Sequence, residues 1–182
     1  YLFANTKGLP EDIAGAWGQA SDELVSMRIQ QLGQFANAFG LRDPEVAAVL
    51  NAISDELANV HSAKDVAQAT GLSRSALYAF YGIGDMPVMR VELASPEAFQ
   101  TFWARVEKRA GLTAPVATLG KQDYWMIGGK DAGLQLLVAV EGKQLVATLA
   151  PANASGELLK KLLGLAKPSS NAVDRLARID SD

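Results

Sequence analysis

His61 is the only histidine in the chain, and cysteine is absent. Together these facts bound the chemistry before any fold is considered. A Ser-His-Asp triad would have to be built on His61 itself, and a His-rich or Cys-rich metal site lacks the ligands it needs. His61 falls at a predicted helix boundary beside acids, where a solvated or capping histidine is expected. Carboxylates are plentiful. Glu11/Asp12, Asp22/Glu23 and Asp55/Glu56 lie on predicted helices, where charged residues form the solvated face. Asp123 and Asp131 flank a predicted strand, as turn residues do. Carboxylate-driven hydrolysis needs acids that converge across a cleft, which spacing alone does not establish. GGKDAG, residues 128–133, approaches a phosphate loop but lacks the GxxxxGK[ST] order, since Asp131 follows Lys130. It also sits between strands rather than between a strand and a helix, so a glycine-rich turn is expected. No catalytic residue, metal ligand or cofactor is assigned, and the chain is not expected to be an enzyme.

Binding chemistry has a better candidate. Tyr78, Phe80, Tyr81, Tyr124 and Trp125 fall on predicted strands, and Trp17, Phe99, Phe102 and Trp103 on predicted helices. Core packing is the default for each. The place to look for a ligand site is where the Gly82–Met86 turn meets the sheet, near Tyr81, Arg90 and Trp125. Gly82 and Gly84 permit close backbone approach or positive φ, which a plain hairpin does not require twice. Arg90 is a lone cation between apolar Val88 and Val91. It is either anchored by a carboxylate such as Glu92 or Asp85, or free to receive an anion. The anchored arrangement is expected.

These residues must be positioned by elements whose pattern changes near residue 75. Before it the period is helical. Leu9-Pro10-Glu11-Asp12 starts a helix, and Ile13, Trp17, Ala20, Leu24, Met27, Leu32, Phe35 and Phe39 form its apolar face up to Gly40. Asp43-Pro44 starts a second helix with Val46, Val49, Leu50, Ile53 and Leu57 inward. Ser62 caps a third over 62–70, closed by Gly71. After residue 75 the period is two. SALYAFYG and PVMRVELA read as strands of a hairpin, the second with Met89, Val91 and Leu93 on one face and Arg90 and Glu92 on the other. Ser95-Pro96-Glu97 opens a helix to about Ala110 that buries Phe99, Phe102 or Trp103, and Val106. Strands are predicted at 115–119, 123–128, 133–141 and 144–150, the last two joined by Gly142-Lys143 in a II′ turn. Ser155 opens a further helix that Pro168 stops, and an amphipathic segment covers 171–179. Tyr1–Asn5 is a candidate edge strand.

The fold expected is α+β: a helical N-terminal layer, 10–70, packed on a mostly antiparallel sheet from the 75–182 part, with further helices. The 182 residues make a single domain or a fragment of a longer protein. Hydrophobic residues are 49% and charged residues 20%, a globular balance. A net charge of −3 gives no pull toward nucleic acid. No apolar run approaches the roughly 18 residues that cross a bilayer.

Two resemblances bear on function. HSAKDVAQATGLSRSALYAFYG, residues 61–82, resembles the helix-turn-helix of the TetR repressor family, with VAAVLNAISDEL similar to that family's first helix. The match would put Arg74, Ser75 and Tyr78 on DNA, with Ala67 and Gly71 shaping the turn and Leu72 and Leu77 inward. Three departures oppose it. Only Lys64 and Arg74 are basic near the motif, amid Asp43, Glu45, Asp55, Glu56 and Asp65, whereas affinity needs several phosphate contacts. The similarity stops at Tyr81-Gly82, where a turn and strand follow, and the remaining chain is mixed α/β. The expectation is a helix end running into a strand, with no nucleic-acid partner.

YLFANTKGLPEDI and ALYAFYGIGDMPVMRVEL together resemble a family of exported bacterial cell-envelope proteins, lipoprotein-like and without an assigned activity. Tyr1-Leu2-Phe3-Ala4-Asn5 with Leu9-Pro10, and Tyr81-Gly82-Ile83-Gly84 with Pro87-Val88 and Arg90, carry the likeness; Asp85 departs from it. The resemblance implies a periplasmic or outer-envelope location, a leader removed ahead of Tyr1, a possible lipid anchor upstream, and a protein or small-molecule partner of the envelope. It supplies no site residues. The function expected is a non-catalytic binding or structural domain, with a DNA-binding regulator acting through 62–81 and a carboxylate-dependent hydrolase as the alternatives.

Overall fold

The computed structural model describes residues 2–4, 43–73, 78–129 and 133–166. The helix predicted from Pro10 to Phe39, Arg74 and Ser75, Lys130 and Asp131, and the segment 171–179 lie outside them.

Within these residues the polar starters and glycine stops act as their chemistry dictates. Helix α1 (Pro44–Glu56) is capped by Asp43, whose carboxylate accepts from the Glu45 and Val46 amides. Helix α2 (Ala63–Thr70) is capped by Ser62 and closed by Gly71 at φ 75. Helix α3 (Pro96–Ala110) starts at Ser95 and closes at Gly111, φ 69. Helix α4 (Gly156–Leu162) starts at Ser155.

The strands are β1 (Leu2–Ala4), β2 (Tyr78–Ile83), β3 (Met86–Glu92), β4 (Val116–Leu119), β5 (Gln122–Gly128), β6 (Leu134–Glu141) and β7 (Gln144–Pro151). They form a seven-stranded sheet in the order β1-β2-β3-β7-β6-β5-β4, with every neighbouring pair antiparallel. The architecture is α+β. Three hairpins share one device: Gly84, Gly120 and Gly142 take φ 58, 68 and 56, each followed by a residue with ordinary φ. A glycine at the first central position is what a II′ turn requires.

The sheet is covered on both faces. On one, Val46, Val49 and Ala52 of α1 and Phe99, Phe102, Trp103 and Val106 of α3 bury against Leu93, Ile127, Val138 and Leu145. Both Phe102 and Trp103 are buried, because α3 packs against α1 and α2 as well as joining the core over the sheet, and so presents a broad apolar face. On the other face Leu162 and Leu163 close over Val88, Tyr124, Leu137, Ala139, Val146 and Ala150. This explains the unbroken apolar run in β6: Leu137, Val138 and Ala139 point to alternate faces and all are buried.

Candidate functional site

The β2–β3 hairpin is the place the sequence singles out, and its register fixes what the site can be. Ile83 pairs with Met86, so the turn is Gly84-Asp85 alone. Gly82 is a strand residue opposite Pro87 with ordinary φ. A Cβ there would stand 3.2 Å from the Gly84 carbonyl oxygen, so the second glycine reflects a tight return of the backbone. An open recess of about 340 Å³ runs from Phe80 round the turn to Pro87, with Gly82, Gly84 and Asp85 in its wall. Phe80 and Met89 are cross-strand partners. They are 53% and 40% exposed on the face that carries α1 and α3.

Tyr81 and Arg90 do come together. Arg90 Nε donates to the Tyr81 hydroxyl at 3.0 Å. Its Nη1 donates to Gln144 Oε1 at 2.9 Å and to Glu141 Oε2 at 3.4 Å, and Nη2 to the Leu163 carbonyl at 2.8 Å. The guanidinium side chain is 19% exposed. Arg90 is therefore anchored, but by Glu141 and Gln144, not by Glu92 or Asp85. The reason is the β3–β7 pairing, in which Arg90 stands opposite Val146, two residues from Gln144 and on the same face of the sheet.

Trp125 does not join them. It lies on the opposite face, its ring 5.4 Å from that of Trp103 and 6.4 Å from that of Phe99. Its neighbour Tyr124 is the one that reaches the face of Arg90. Adjacent strand residues point to opposite faces, and only the register says which is which. The indole N–H of Trp103 is buried without a partner among the described residues.

Four carboxylates elsewhere, Asp43, Glu45, Glu56 and Asp123, are engaged structurally. Asp43 is buried, and its Oδ2 accepts from the Gly129 amide at 2.7 Å while Glu45 Oε2 accepts from the Gly128 amide at 3.2 Å. The glycines at the start of GGKDAG thus do cradle an anion, the protein's own carboxylate at the head of α1. That contact spans 86 residues of sequence, and nothing local announces it. Glu56 sits between two guanidiniums, accepting from Arg105 Nε at 2.9 Å and Arg109 Nε at 2.8 Å. The bond from Arg105, joined by that from Arg109, holds its carboxyl below the usual range against partial burial. Asp123 accepts from the Thr118 hydroxyl at 2.6 Å, and His61 is exposed.

The helix-turn-helix resemblance has a local explanation. Tyr78–Tyr81, where a second helix would run, are the first four of the six residues of β2. Gly71 packs on the backbone at the start of α3, and its carbonyl accepts from the Ala94 and Ser95 amides. Leu72 bridges to Leu93, and the Ser73 amide donates to Glu92, so the chain after α2 runs beside the end of β3. Comparisons with protein-family models, with curated proteins and with solved structures found no match to this chain.

Proposed function

We propose that this chain is a non-catalytic binding or structural domain of a bacterial cell-envelope protein, exported to the periplasm or outer envelope. A lipid anchor upstream of Tyr1 would hold it at a membrane surface. The observation that supports this reading is the apolar character of the hairpin recess. Phe80 and Met89 stand exposed side by side on one face of the hairpin, and Met86 and Pro87 border the turn. Neighbouring exposed apolar side chains beside a recess favour contact with a partner. The partner is accordingly a protein or small-molecule ligand of the envelope that presents an apolar surface.

The test uses the native reading frame in its source bacterium, with a photoreactive residue in place of Phe80 and a control at exposed Val116. Fractionation with the envelope and a discrete adduct at position 80, lost when Met89 becomes Lys, is the expected result. Fractionation with the cytosol, or identical adducts from positions 80 and 116, overturns the reading.

A further inference from the structure

Helix α4 depends on something outside itself. A helix of seven residues is too short to persist in water alone. Its apolar anchors are Leu162 and Leu163 at its C-terminal end, both almost fully buried, while Leu158 and Leu159 are only partly so. At that same end the Leu163 carbonyl accepts from Arg90 Nη2. A cation there also meets the negative end of the helix dipole. The rest of the guanidinium is gripped by the sheet, through Tyr81 of β2, Glu141 of β6 and Gln144 of β7. One side chain thus ties the helix to separate strands. Gly164, at φ 78, completes the fit, since a Cβ there would fall on Arg90 Nη2.

The other face of the sheet is built independently. Its core of α1 and α3 residues shares no buried member with the core under α4. Loss of the Arg90 tie therefore has a local route to relief. The strap lifts while α1 and α3 remain in place.

We propose that α4 is a strap latched by Arg90, which opens as a unit and uncovers the apolar strip of Val88, Leu137, Ala139 and Val146 without unfolding the sheet. Opening is limited by the guanidinium's grip on the Leu163 carbonyl.

The test is amide hydrogen exchange, read by mass spectrometry on the full chain. Arg90→Ala removes the latch. Gly164→Ala displaces the guanidinium while keeping its charge. Both are expected to speed exchange in Leu159–Leu163 by about tenfold or more, the scale of a lost charged hydrogen bond, with α1 and α3 unchanged. Should Arg90→Ala fail to fold, Gly164→Ala and Arg90→Lys carry the test. An α4 that exchanges as in the parent overturns the proposal. So does acceleration of equal size in α1, α3 and α4, which would make Arg90 a contributor to global stability only.

Discussion

Replacing Asp43 or Gly128 tests whether the carboxylate at the head of α1 fastens the helical layer to the sheet. Asp43 is 5% exposed and accepts from the Glu45, Val46 and Gly129 amides. Asp43→Ala removes an N-cap, worth about 1 kcal/mol, and strands the Gly129 amide, worth about 1–3 kcal/mol if it stays buried. The expected loss is about 2–4 kcal/mol. Asp43→Asn keeps the cap, since asparagine caps as well as aspartate, but offers a single acceptor oxygen. It should cost about 1–2 kcal/mol, separating the helix cap from the tie to the sheet. Gly128 adopts φ 76, and a Cβ on it would overlap the Asp43 carboxylate. Gly128→Ala then suffers left-handed strain of about 1–2 kcal/mol and loses the Asp43 contacts as well.

Gly120→Ala is the control, because its φ of 68 is similar but a Cβ there meets nothing within 4 Å. Urea unfolding followed by tryptophan fluorescence reports on the core directly, through Trp103 packed on Trp125. Gly128→Ala should exceed Gly120→Ala by about 1 kcal/mol or more, with the denaturant slope unchanged. In Asp43→Ala/Gly128→Ala the methyl enters space the carboxylate has left. The double variant should therefore cost less than the sum of the singles by about 1 kcal/mol. Equal costs for the two glycine variants, or strict additivity of the pair, would refute the reasoning.

Two further outcomes follow from the same geometry. Glu56 is held below the ordinary glutamate value of 4.5 by Arg105 and Arg109. Its ion pairs therefore contribute full stability above that value and lose it as pH falls further, through the folded value. Glu56→Gln should cost about 1 kcal/mol at neutral pH, and its denaturation midpoint should converge with that of the parent only once the pH has fallen below the lowered, folded-state value of Glu56. Gly84→Ala should cost about 1 kcal/mol or more through φ alone, lowering Tm by about 2–4 °C, since the added Cβ meets open space. An unchanged Tm would show that the hairpin does not need its glycine.

Local chemistry made much of this fold legible. Asp43, Ser62, Ser95 and Ser155 announce helix starts because short polar side chains satisfy the first amides, and Gly71 announces a stop because left-handed backbone disfavours a Cβ. Glycine at the first central position marks the Gly142-Lys143 hairpin, and the same rule applied to Gly84-Asp85 shortens the predicted Gly82–Met86 turn to its true length. The long-range partners were out of reach. Glu141 and Gln144 are more than fifty residues from Arg90, and they meet it only because β7 returns to pair with β3.

Strand β3 shows why periodicity stops short of the site. Alternation sorts Met89, Val91 and Leu93 from Arg90 and Glu92, and that sorting is correct. The natural inference makes the apolar set the inward one and the charged set the solvated one. At the hairpin end the assignment runs the other way. Met89 stands 40% exposed, while Val88, which shares a face with Arg90, is fully buried under α4. The difference comes from an element more than sixty residues downstream, whose arrival turns the charged face into a second interior. A guanidinium can lie there because its acceptors arrive with it: a phenol, a carboxylate, an amide and the last carbonyl of the covering helix. A lone cation in an apolar strand is thus a signal that something will cover it. What covers it must bring acceptors, and a helix C-terminus supplies one from its own backbone.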